Sequence, residues 1–158
     1  MKLPSTLALS LVIALSAPAC SKEDAGAAAT AKTRTEKVTM NGVSWEIALP
    51  VDMTKPQYKV TNPEYLGDND MKLTLDATFP KFPTVDSYLA RNASTKVLEK
   101  KQVGAAWFIV LEPQGKSDTD FSMRAMVPNQ NIGWYCSGAP AREADVRAMC
   151  ASVKFSKP

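Results

Sequence analysis

The side chains with chemistry to offer in this 158-residue chain are few, and the absences matter as much as the presences. There is no histidine at all. That removes Ser-His-Asp and Cys-His nucleophilic sites and the commonest zinc and copper ligand. Three cysteines remain: Cys20, Cys136 and Cys150. The later two are too far apart for a C-x-x-C redox pair, but two thiols in an oxidising compartment read as a disulfide. Closing so short a loop is worth on the order of 3 kcal/mol in the chain-entropy model. The competing reading is a pair of reduced, buried thiols.

The carboxylates offer two clusters. Glu64, Asp68 and Asp70, with Asn62 and Asn69, set oxygen ligands at alternating positions, as a Ca²⁺ loop does. The same residues are also ordinary turn formers. Asp118 and Asp120 make a second D-x-D step. Two carboxylates can hydrolyse a glycosidic bond, but no spacing here selects such a pair. No Gly-rich phosphate loop and no G-x-S-x-G step is present. Neither a cofactor nor a metal is expected. The remaining binding candidates are Trp45, Trp107 and Trp134, all on expected strands. Gathered at one sheet end they would line a ligand groove. Packed singly they are core, and Trp45 is in phase with Ile47 and Leu49.

The N-terminus reads as an address. Met1-Lys2 is a short positive region, and LALSLVIAL (7–15) is an apolar run. It falls well short of the ~20 residues a membrane-spanning helix needs. Ala17 and Ala19 fit an A-x-A cleavage step, so residues 1–19 are expected to be a signal peptide. The stretch Ser16-Ala17-Pro18-Ala19-Cys20 resembles the lipobox of bacterial lipoproteins. That resemblance implies fatty-acyl (palmitate-type) modification of the Cys20 thiol and a membrane held through this lipid. Ser21 after the cysteine resembles lipoproteins sent to the periplasmic face of an outer membrane, given a Gram-negative host. The competing reading is plain secretion after cleavage at Ala19, with Cys20 a free thiol. Residues 21–35 (SKEDAGAAATAKTRT) hold no aromatic and no large aliphatic side chain. Such a segment buries too little to offset its ordering entropy. Residues 20–35 therefore read as an acylated cysteine and an unstructured tether.

Residues 36–158 then form one domain of about 120 residues, enough for its own core. Nineteen basic and 16 acidic residues give a net charge of +3, mixed along the chain. There is no basic stripe for nucleic acid and no polybasic membrane patch. Hydropathy alternation and turn signals place a hairpin first, 37–40 and 43–49 around Asn41-Gly42. A short strand at 57–61 and a clean alternating strand at 71–79 follow. Thr84 is the expected N-cap of a helix carrying Val85, Tyr88, Leu89 and Asn92 on one face. Strands are expected at 97–103 (an edge guarded by Lys96, Lys100 and Lys101), 105–112, 121–127 and 132–136. A helix over 141–152 shows Val146, Met149, Cys150 and Val153 at helical spacing. A short final strand at 153–155 completes the chain. The order predicts a single α+β domain with one main antiparallel sheet and two helices packed on it.

VSWEIALP, FPTVDSYLARNA, AAWFIVL and the closing WYCSG…VRAMCASVKF are similar to the PsbP/DcrB-type α-β-α sandwich over residues 38–156. The resemblance implies that fold and the habit of a small envelope accessory domain. It assigns no catalytic residue. The expected role is a non-enzymatic envelope module that binds a protein partner or a small ligand, or serves assembly. A small carboxylate hydrolase is the enzymatic alternative.

Overall fold

A computed structural model describes residues 32–113 and 120–157. The expected signal peptide, Cys20 and Asp118 lie outside the described residues. Two antiparallel sheets and two helices make up a single α+β domain. β1 (Thr33–Met40) and β2 (Val43–Pro50) form the expected hairpin, and β9 (Lys154–Ser156) joins the far side of β2. Asn41 and Gly42 both take positive φ, 50° and 72°, as a two-residue hairpin turn of this twist demands.

The larger sheet has the order β3-β4-β8-β7-β6-β5. Its strands are β3 (Glu64–Leu66), β4 (Lys72–Asp76), β5 (Val97–Val103), β6 (Ala106–Leu111), β7 (Phe121–Met126) and β8 (Gly133–Gly138). α1 (Val85–Arg91) and α2 (Glu143–Ser152) lie on opposite faces of it.

The inner face meets the small sheet and α2. Val43, Trp45, Ile47 and Leu49 of β2 pack there with Leu73, Leu75, Phe108, Val110, Met123, Ala125, Trp134 and Cys136. α2 adds Val146, Met149 and Cys150, the stripe its spacing predicted. Cys136 and Cys150 are disulfide-bonded, with Cα atoms 5.9 Å apart, so the bond staples α2 to β8. Trp134 Nε1 donates to Cys150 O at 3.0 Å, pinning the same junction a second way. Ser152 Oγ accepts from Ala48 N at 3.0 Å and ties the end of α2 to β2.

Several expectations shift. Beside the expected main sheet, β1, β2 and β9 form a second, small one. β1 begins at Thr33, inside the segment read as tether. Thr33 pairs with Pro50, and Arg34 donates from its guanidinium to the carbonyls of Pro50, Val51 and Met53. Hydrogen bonding, not burial, recruits those polar residues, so hydropathy could not show it. No strand forms at 57–61. Pro56 and Pro63 bracket that stretch, and β3 takes the edge beside β4 instead. Tyr65, not Tyr58, enters the core. The strand expected over 71–79 stops at Asp76, because Asp76 Oδ1 accepts from Thr78 N (2.7 Å) and Thr78 Oγ1 (2.8 Å) and turns the chain. Phe79 therefore reaches the outer face, not the inner one.

Candidate functional site

The outer face of the large sheet is only half covered. α1 sits over β6 and β7, where Phe82, Val85, Tyr88, Ile109 and Met126 form a second small core. Thr84 caps α1 through a reciprocal pair with Ser87, 3.1 and 3.2 Å, as its position predicted. The β7–β8 turn grips the segment before the helix. Asn129 N donates to Phe82 O at 2.7 Å, and Asn131 Nδ2 donates to Phe79 O at 3.0 Å. Phe79 is thereby laid flat on Gly133. A Cβ at that glycine would meet the Phe79 ring at 2.6 Å, so the approach requires glycine there.

Beside this aromatic wall the sheet is open. Thr74, Asp76, Phe79, Arg124, Trp134 and Tyr135 line a cleft of about 200 Å³. The register explains the gathering: Thr74 is opposite Tyr135, and Tyr135 is opposite Arg124, all on one face of three neighbouring strands. The Arg124 guanidinium lies 5.6 Å from the Tyr135 ring centroid and donates from Nη1 to the buried Tyr88 Oη at 3.2 Å. It has no carboxylate partner among the described residues. Among the described residues one of its five donors is used, which leaves a bidentate fork for an incoming carboxylate or phosphate. Asp76, across the cleft, spends one oxygen on its own turn. The cleft contains one carboxylate, Asp76, so no carboxylate pair is assembled in it.

Two depressions above 400 Å³ offer less. One, about 440 Å³, lies on the small sheet among Lys37, Thr39, Glu46 and Lys154. Its charges satisfy each other: Glu46 takes Lys37 at 3.0 Å and Lys154 at 3.9 Å. Lys37 holds the Glu46 carboxyl below the usual carboxylate range. The other, about 420 Å³, lies between β5 and α2. There Arg147 is used by Glu143 and Glu99, at 2.7 and 2.8 Å, and covers the Phe121 ring at 4.6 Å.

The three tryptophans do not gather at one place: Trp134 borders the Arg124 cleft and Trp45 the small-sheet depression. Trp45 and Trp134 meet edge to face, 6.2 Å apart, and both are buried in the main core with Phe108 and Phe155. Trp107 is on the opposite face, under Lys100 Nζ at 5.6 Å. The Glu64/Asp68/Asp70 cluster is not brought together either. Glu64 sits on β3, ion-paired to Lys72 and accepting from Tyr58 Oη at 3.3 Å. Among the described residues no group of three His, Cys, Asp or Glu side chains is placed to hold a metal ion. Asp120 borders the β5–α2 depression.

Arg124, Tyr135, Thr74 and Phe79 were not singled out by sequence reasoning. The available signal was modest: a lone Arg on the wet phase of FSMRAM, where the flanking Met123 and Ala125 are dry. No family model matches the sequence, and no curated protein matches it.

Proposed function

We propose that this chain is a cell-envelope lipoprotein whose domain is a non-enzymatic binding module, and that the Arg124 cleft is where it takes hold. The Cys20 lipid and the polar stretch after it would carry the domain beside a membrane. The proposal includes the PsbP/DcrB-like reading of the domain as an accessory. The observation that carries the proposal is the Arg124 guanidinium: exposed, without a carboxylate partner among the described residues, oriented by Tyr88 and Tyr135, and flanked by the Phe79 ring. A buried hydroxyl and a ring held in place for one cation are more than a solvated arginine needs. They preorganise a fork for a planar anion with an apolar body lying against Phe79 and Tyr135. At about 200 Å³ the cleft lies below the ~300–1,000 Å³ of drug-sized sites, so the group it takes is fragment-sized.

Two measurements test this. Intact-mass analysis of the mature chain should show acyl mass on Cys20, absent in Cys20→Ala; an unmodified N-terminal Cys20 overturns the anchor. Native mass spectrometry of the chain purified from its own envelope should show a small-molecule adduct that Arg124→Gln loses. An adduct that survives Arg124→Gln, or none at all, overturns the cleft as the binding site.

A further inference from the structure

The large sheet has two edges, and they are treated differently. At the β3 edge, Thr54 closes the strand by exchanging both backbone hydrogen bonds with Leu66, each 2.8 Å. In the small sheet, the β1 edge is polar (TRTEKVTM) and β9 is three residues long. β5 is seven residues long and carries no such cover among the described residues. It also holds three of the five large apolar side chains that are exposed among the described residues: Val97 (37%), Leu98 (52%) and Val103 (53%). An edge of this kind presents unpaired backbone donors and acceptors beside apolar side chains, the template for strand addition.

We infer that β5 pairs antiparallel with β5 of a second copy, about a two-fold axis at Lys100. The sequence VLEKKQV is self-complementary in that register. Glu99 falls opposite Lys101 of the other copy, and Lys101 opposite its Glu99, giving two opposite-charge cross-strand pairs by symmetry. The Val97-Leu98 end of each strand meets Val103 of the other, so the exposed apolar residues cover one another. Lys101 has no acidic partner of its own among the described residues, and this register supplies one. The like charges at the axis come already compensated: Lys100 Nζ is 2.9 Å from Asp86 Oδ1 and rests over Trp107. The bulge between Val97 and Glu99 limits regular pairing about Lys100 to Glu99–Lys101, with looser contacts beyond it, and keeps the contact small. An acidic extended segment from another protein is the rival occupant. It would answer the lysines, but only the second copy also offers a lysine to Glu99, beside the Arg147 that Glu99 takes at 2.8 Å in its own chain.

Cysteine crosslinking in the full chain, expressed in its own envelope, tests the register. Residues opposite one another across an antiparallel pair have Cα atoms ~4.5–5.5 Å apart, within disulfide reach. Lys100→Cys should give a disulfide dimer of this chain on non-reducing gels, with none from the unsubstituted chain. Gln102→Cys alone should not crosslink, because the two copies of that position lie about four residues, ~13 Å, apart along the strands. Glu99→Cys and Lys101→Cys chains expressed together should give the mixed dimer. Adding Val103→Lys to Lys100→Cys should cut the dimer at least ten-fold. Absence of the Lys100→Cys dimer, equal crosslinking at positions 100 and 102, or capture of a different protein at Lys100→Cys in place of this chain each overturns self-pairing.

Discussion

The two faces of the large sheet are built from the same six strands and do opposite things. The inner face is sealed by the small sheet and α2, then pinned by a disulfide and by the Trp134–Cys150 hydrogen bond. The outer face is sealed over β6 and β7 and left open over β4 and β8, with a charged side chain oriented at the boundary. The difference teaches where this chain can tolerate change. Substitutions on the inner face should register as lost stability, and those in the open half as lost binding with the fold intact.

The strongest way to break that contrast is Trp134→Ala. It removes the ring that Trp45, Phe108 and Phe155 pack against and leaves Cys150 O without its donor. The expected loss is about 3–5 kcal/mol in chemical denaturation. A loss under 1 kcal/mol would show that the inner face does not carry the fold. Removing the disulfide by Cys136→Ala with Cys150→Ala should cost somewhat less, about 3 kcal/mol, since the bond closes a separation of 14 residues. Equal midpoints for the oxidised and cysteine-free chains would count against the staple.

A smaller effect has the opposite sign. Tyr65 is fully buried, and its hydroxyl has no hydrogen-bond partner in good geometry. Burial first, then the nearby Glu36 carboxylate, pushes its phenol up to about 12. Tyr65→Phe removes a desolvated hydroxyl at little cost in packing, and should gain about 1 kcal/mol, a rise of a few degrees in Tm. The pH dependence follows from the same group. Its folded pKa is raised, so between about pH 10 and 12 the unfolded chain releases the proton first and the folded chain loses stability as pH rises. Alkaline titration should show this loss in the native chain and a shallower one in Tyr65→Phe; parallel curves would remove Tyr65 from the account.

How much of this was legible in the sequence follows from which forces made each part. Helix faces and buried strands were legible, because apolar spacing fixes them: the Val146–Met149–Cys150 stripe, the AAWFIVL strand and the Asn41-Gly42 turn all stand where patterning put them. What rests on polar contacts was not. Arg34 draws β1 into residues read as tether, and Asp76 ends β4 early and sends Phe79 to the other face. The cleft depends on that second event. It also depends on register: Thr74, Arg124 and Tyr135 lie far apart in the chain, and only strand pairing makes them neighbours. The tryptophans misled because residue type alone cannot say which face of a strand a ring occupies.

The smallest expected stability effect sharpens the comparison most. Arg124 is exposed and makes one hydrogen bond, to Tyr88 Oη, and one ring contact, with Tyr135. Losing both should change stability by no more than about 0.5 kcal/mol, the usual range for surface positions. Tyr88 keeps its packing against Phe79 and Phe82, with ring centroids 5.9 and 5.2 Å away, so α1 should stay seated without the arginine. Arg124→Lys distinguishes a fork from a mere charge. Lysine keeps the cation but cannot make a bidentate contact or stack flat on Tyr135. If the cleft recognises a planar anion, Arg124→Lys should lose most of the binding that Arg124→Gln loses, at unchanged Tm, when the adduct is followed by native mass spectrometry. Full binding in Arg124→Lys would reduce the site to simple charge attraction. A large fall in Tm in either variant would mean that the outer face bears the fold after all, and the contrast between the two faces would not hold.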